Sequence, residues 1–414
     1  MLSTVLSISS LLISFAILSV GHGLQNTLIN LRGALENYSD LTIGVMSSCY
    51  FLGFIIGTRF TSKSIENVGQ IRTFAALVSI ISTISIFHIL FINPLFWILL
   101  KLAYGFCISG AFVVIESWLN ALSSKENRGR ILSIYMIIYF LGLFVGQLFV
   151  NVDFVKSFEL FGLVSIFASI SLVPLILSKA KQPEEIYTEP FSLKKLYQTS
   201  PLAAFGSLIN GIAAGAFWAF GALFILNSGF TVHSAALFMA VTFVGALIFQ
   251  WPVGLFSDLF NRRIAIAICC LVTIISAIFI VGLTSNSSTT QLTLPLLILA
   301  IIFGGFSYTL YSLFISLAND FLKPGMFVKA SATLLQANSL GAIIGPLMAA
   351  LFIFIFNQNG LFYFLILNYS LIFSAALYGL FLGKTIPEST TEDFVAVPQT
   401  AASIYNLDPR FDKS

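Results

Sequence analysis

Gly254-Leu-Phe-Ser-Asp258-Leu-Phe-Asn-Arg262-Arg263 joins two long apolar runs, at 231–257 and 263–284. Each run exceeds the roughly 20 residues a helix needs to cross a hydrocarbon core. Between them, glycine permits close helix approach, and Asp258 can cap a helix end or pair with an arginine. Exposed contacts of this kind are weak enough to hold one conformational state and break in another. The plainer reading is a basic loop on the cytoplasmic face of a membrane.

The rest of the chain agrees with a membrane setting. Of its 414 residues, 58% are hydrophobic and 9% charged, where a soluble domain carries about a quarter charged residues. Lipid offers the backbone no hydrogen-bond partner, so only helices or closed barrels can span it. The apolar runs are continuous rather than alternating, which selects helices. They fall near 4–31, 41–61, 71–92, 95–120, 130–151, 156–178, 200–227, 231–257, 263–284, 292–320, 328–356 and 360–383. The first lacks a charged n-region and a cleavage site, and reads as a span rather than a signal peptide. Polar residues Lys179–Thr199 divide the spans six and six. The fold class is therefore all-α membrane protein, with twelve transmembrane helices in two six-helix pseudo-repeats. Its expected parts are an N-terminal bundle (1–178), a cytoplasmic central linker (179–199), a C-terminal bundle (200–383) and a cytoplasmic tail (384–414). The tail is polar, carries Pro387, Pro398 and Pro409, and is expected to be disordered.

Seventeen of the twenty basic residues fall on one side of the predicted spans; Arg32 and Lys156 fall on the other, and Lys101 lies inside the fourth span. The positive-inside bias puts both termini in the cytoplasm, which requires an even number of spans. The halves also look like weak copies. Gly142 and Gly146 match Gly341 and Gly345 at an offset of 199, which also carries Gly105 onto Gly304 and Arg130 onto Lys329; an offset of 192 carries Gly53 onto Gly245 and Glu66 onto Asp258. Repeats of this sort build transporters whose substrate site lies at the repeat interface.

The 254–263 string fits the major facilitator loop pattern G-x-x-x-D-x-x-x-[RK]-[RK], between the second and third spans of a half. The first half's counterpart is degenerate, with Glu66, Gly69 and Arg72. The chain resembles a narrower group, the YcaD-like major facilitator transporters. The resemblance is carried by Gly21-His-Gly-Leu24, Val68-Gly-Gln-Ile-Arg72-Thr-Phe-Ala-Ala76, Glu116-Ser-Trp-Leu-Asn120, Asn127-Arg-Gly-Arg130 and Gln250-Trp-Pro-Val-Gly254. It implies the major facilitator fold, a bacterial inner membrane and an alternating-access carrier, without a substrate. In that superfamily the first, fourth, seventh and tenth spans line the cavity. Drug:proton antiporters of the superfamily carry a proline after the second glycine in the fifth span. Here Gln147 follows Gly146, and the proline appears only as Pro346, which argues against drug export.

Lys101, with Gly105 and Gly110 behind it, stands where those antiporters have an arginine. An intramembrane cation is a functional candidate because burial is costly, although a lysine near a helix end can also snorkel to the interface. His22, Gln25, Asn26 and Asn30 are spaced to share a face of the first span. With Tyr104, Trp218, Tyr308 and Tyr311 they form a candidate cavity set, each aromatic alone being ordinary packing. Glu116, near the inner end of the fourth span, is expected to pair with Arg72, Arg128 or Arg130 as a gate latch. The other gate candidates are Glu66, Gly69, Gly254, Asp258, Arg262 and Arg263.

These observations point to a secondary active transporter for a small solute, coupled to protons. The alternatives are an uncoupled facilitator and a non-transporting membrane sensor. No nucleotide-binding loop is present, and His22, His88 and His233 have no metal-type spacing. We therefore expect no enzyme activity, no metal, no cofactor and no nucleic-acid partner. The expected partners are the lipid bilayer, a small-molecule substrate and protons, with the protein a monomer.

Overall fold

A computed structural model describes residues 2–124, 127–150, 155–177, 192–285, 290–322, 326–382 and 393–412. Its helices are α1 (Leu2–Leu35), α2 (Asp40–Val68), α3 (Gln70–Leu90), α4 (Pro94–Leu122), α5 (Arg128–Leu148), α6 (Glu159–Ile176), α7 (Leu193–Thr199), α8 (Pro201–Asn227), α9 (Val232–Leu259), α10 (Arg262–Ser285), α11 (Leu294–Asn319), α12 (Phe327–Phe356) and α13 (Gly360–Leu382). Among the described residues eleven apolar helical stretches are long enough to cross a membrane, and the last, Phe327–Phe381, comprises both α12 and α13, so these residues hold twelve spans. The break is a single 3-10 turn at Asn357–Asn359, where Asn357 takes φ 55°.

The helix starts follow from local chemistry. Ser39, Asn93 and Thr231 each accept a hydrogen bond from the backbone N–H three residues on, satisfying a donor that helix geometry leaves free. Pro94 and Pro201 sit in the first turn, where their missing N–H costs nothing. Lipid-facing positions keep large apolar side chains, among them Leu99, Trp251, Leu259 and Phe381.

The principal helix pairings of the first half recur in the second. In the first, α2 packs on α4, α1 on α5 and α6, and α3 on α4 and α6; in the second, α9 packs on α11, α8 on α12 and α13, and α10 on α11 and α13. The repeated glycines sit at these seams. A Cβ on Gly53 would lie 1.9 Å from Leu102 O, and one on Gly245 2.0 Å from Ile301 O. Gly105 and Gly304 approach Tyr50 O and Thr242 O in the same way, at 2.0 and 2.2 Å. Gly146 and Gly345 do so against Val20 O and Ile212 O, at 2.5 and 2.1 Å. Between membrane helices there is little hydrophobic drive, so backbone approach permitted by small residues supplies the packing.

The halves meet through α2 with α12, α5 with α9, and α1 with α8. At the end opposite the chain termini the meeting is tight: a Cβ on Gly44 would stand 2.9 Å from Pro346 O, and Ser48 Oγ donates to Ile343 O at 2.6 Å.

Of the central linker, 179–191 lie outside the described residues, and the remainder includes a short helix, α7. The tail is not disordered over 393–412. It enters the space between the halves at the terminal end and forms short 3-10 segments at Ala402–Leu407 and Pro409–Asp412. Val397, Ala401, Ile404, Tyr405 and Leu407 are buried there. Those apolar residues are scattered among polar ones, so composition alone reads as solvated chain; the bundles supply the walls that bury them. Residues 383–392 and 413–414 lie outside the described ones.

Candidate functional site

At the centre stands His22 on α1. Its Nδ1 lies 3.2 Å from Tyr104 Oη on α4, and its Nε2 3.5 Å from Tyr50 Oη on α2. Its ring stacks toward Trp218 of α8, centroids 6.0 Å apart, so it touches both halves. Lys101 lies behind this group, 1% exposed, with Nζ 5.8 Å from the centroid of the Tyr50 ring. It does not snorkel. Among the described residues no carboxylate pairs with it, and the aromatic face is the stabilising contact the structure offers. Tyr50 thus touches both basic groups, through its hydroxyl and through its ring.

A cavity of about 70 Å³ opens beside His22, walled by Tyr50, Trp218, Tyr308, Gln250, Asn338 and the tail residues Val397–Gln399. Tyr308 Oη has no hydrogen-bond partner among the described residues. Gln250 Nε2 donates to Ser312 Oγ at 3.3 Å, and Asn338 Nδ2 donates to Ser207 O at 3.1 Å.

The predicted polar stripe on α1 divides. His22 faces the cavity. Gln25 turns into the first half, where its Oε1 accepts from Ser85 Oγ at 2.8 Å. Asn26 and Asn30 cross to the second half: their Nδ2 atoms donate to Trp218 O at 3.3 and 3.2 Å, and Asn30 also to Ala219 O at 3.1 Å. They fasten the end remote from the termini instead of lining the cavity. Tyr104 is a layer back, against His22. Tyr311 is hydrogen-bonded to Tyr405 of the tail.

The 254–263 string forms a connected charge group. Asp258 Oδ1 accepts from Arg262 Nη1 at 3.0 Å, and Arg262 Nε donates to the fully buried Asp320 Oδ2 at 2.6 Å. Arg263 Nη1 donates to Gly379 O at 2.6 Å. Gly254 leaves room for the Phe394 ring, whose Cδ1 would be 2.2 Å from a Cβ there. Both Asp258 oxygens accept the Phe394 N–H at 2.9 Å.

Among the described residues the first half shows no ion-pair group at the matching loop. Glu66 and Arg72 are exposed and no ion pair joins them among the described residues; Gly69, at φ 85°, makes the turn from α2 to α3. Arg128 and Arg130 begin α5, with Arg130 exposed. Among the described residues no arginine pairs with Glu116. It is fully buried and accepts from Tyr135 Oη at 2.7 Å and from Ser403 Oγ of the tail at 2.8 Å.

Sequence reasoning missed Tyr50, Gln250 and Ser312. Gln250 sits in the quoted string 250–254, and Tyr50 lies one turn before Gly53 of the α2–α4 seam, which was the signal available. Nothing in the sequence marked Ser312.

The Major Facilitator Superfamily profile matches residues 2–202 and 203–406. The chain is 28% identical over 355 residues to the "Uncharacterized MFS-type transporter YcaD" of Escherichia coli O17:K52:H18 (strain UMN026 / ExPEC), covering 85% of this chain and 90% of that one. Among solved structures it resembles the nucleoside transporter NupG (TM-score 0.71, 13% identity, 93% of this chain and 100% of that one). It also resembles the E. coli fucose:proton symporter FucP (TM-score 0.57, 14% identity, 91% and 99%). With both halves matched by the family profile, the chain belongs to the Major Facilitator Superfamily and is a multi-pass membrane transporter.

Proposed function

We propose that this transporter moves a small polar or amphipathic solute across a bacterial inner membrane by alternating access, coupled to protons, with both termini in the cytoplasm. The observation that carries the coupling is the His22–Tyr50–Lys101 group: two basic side chains buried at the centre, joined by one tyrosine, with no carboxylate partner among the described residues. A buried unpaired cation is costly. An anionic group on the solute would stabilise charged Lys101, and its departure would favour proton release, which ties proton movement to solute movement. The proton-symporter likeness supports the same reading, and the seventeen-to-two split of basic residues supports the orientation.

The domain reading rests on the repeat: α1–α6 and α8–α13 rock against each other. The closed end, held by Asn26, Asn30 and Ser48, is the outer gate; Asp258, Arg262 and Glu116 belong to the inner one.

A thermal-shift screen of purified protein supplies a ligand, because a ligand stabilises the state that binds it. Proteoliposome uptake then tests the coupling. Lys101→Arg should bind and exchange solute but lose its response to a pH gradient, since arginine keeps its charge. Lys101→Ala should lose both. A Lys101→Arg protein that responds as the parent does would refute the role given to Lys101.

A further inference from the structure

The tail makes its closest contacts with the parts that must move. Ser403 bonds Glu116 on α4, while Val397 N–H donates to Ser312 Oγ on α11 at 3.1 Å and Ser312 Oγ donates back to Val397 O at 3.3 Å. Phe394 N–H occupies the Asp258 carboxylate of the gate string. One segment therefore bridges both halves at the end where they stand apart. It also forms a wall of the central cavity, leaving about 70 Å³ where solute pockets typically hold roughly 300–1,000 Å³.

We infer that residues 393–412 are an autoinhibitory plug: docked, they fill the solute path from the terminal side and wedge the halves so that this end cannot close. Alternating access needs that end to shut when the other opens, so turnover requires the tail to leave. The docking is suited to reversal. It is held by hydrogen bonds and by the buried Val397, Ile404, Tyr405, Leu407 and Arg410 side chains, all of them non-covalent contacts, on a segment outside the twelve spans. The Ser403 bond to the buried Glu116 carboxylate is sensitive to charge: an anion at position 403 would face that carboxylate at hydrogen-bond range, and like charges there repel. The consequence for transport rests on the function proposed above; the docking itself does not.

The test uses a reporter that needs no substrate. Ala214→Cys lines the cavity on α8 without touching the tail contacts named here, in a background where Cys49, Cys107, Cys269 and Cys270 are replaced. A membrane-impermeant maleimide is applied from the terminal side. The full chain should label slowly. A chain ending at Glu392 should label at least tenfold faster, and so should full-length Ser403→Asp, which covers the case in which truncation harms folding. Ser403→Ala, losing only one hydrogen bond, should fall between. Equal labelling of the full chain and folded Ser403→Asp would overturn the plug. Fast labelling without pH-driven uptake of any solute would leave the plug standing and remove the transport reading. Uptake by the full chain at the truncated chain's rate would show that the tail does not inhibit.

Discussion

Replacing both Asn26 and Asn30 by alanine should loosen the end of the protein remote from the termini. The two side chains make three hydrogen bonds to α8, at 3.3, 3.2 and 3.1 Å, and all three cross between the halves. They are lost when that end opens. Interhelical hydrogen bonds in membranes contribute about 0.6 kcal/mol each, so the pair holds the closed state by about 1.8 kcal/mol, or roughly twentyfold in population. The contact of α2 with α12 remains and limits the effect. Ala350→Cys is a suitable reporter: its Cβ would lie 3.3 Å from a Cβ on Gly44 in that seam, and it is 3% exposed. Labelling by an impermeant maleimide from the remote side tracks the open fraction. In the Asn26→Ala/Asn30→Ala background its rate should rise about twentyfold, with each single variant giving part of the increase. A rate within twofold of the parent, in protein that keeps its melting temperature, would show that these bonds hold nothing shut.

Gly53→Leu and Gly245→Leu should each lose folded protein in detergent, because a Cβ at either site meets a backbone carbonyl at 2.0 Å or less and overpacking against backbone costs about 3 kcal/mol or more; Gly162→Ala, with nothing within 4 Å, should melt like the parent. Asp258→Asn removes the charge facing Arg262 while keeping an acceptor for Phe394 N–H, and should slow uptake several-fold with the ligand-induced thermal shift unchanged; lost affinity would place Asp258 in the site instead of the gate. A reporter fused after Ser414 should sit in the cytoplasm and one inserted at Asn357–Asn359 outside, and the reverse pattern would invert the orientation.

The spans and the twofold repeat were legible because both are written in the order of residues along the chain. Hydropathy along twenty residues decides whether a segment enters lipid, and a glycine repeated at a fixed offset, such as Gly53 with Gly245, marks a seam where two backbones touch. The site was legible only in part. His22, Gln25, Asn26 and Asn30 read as one polar stripe, yet at roughly 100° per residue Gln25 and Asn30 stand about 140° apart around the helix. They therefore meet different neighbours: Ser85 in one case, the α8 carbonyls in the other. Lys101 stood out by its charge, but its neighbour Tyr50 carries no mark of its own until α2 and α4 close on Gly53 and Gly105. Glu116 shows the same limit. Any arginine at the right end of the bundle was an equally good partner on paper, and only the fold brings Tyr135 and Ser403 to the carboxylate. The tail is the largest difference between the two levels. Val397, Ile404, Tyr405 and Leu407 bury nothing against each other along the chain, so no local reading could distinguish them from solvated residues. Their burial exists because two bundles stand apart and leave an apolar space of that shape, which is a property of tertiary structure alone.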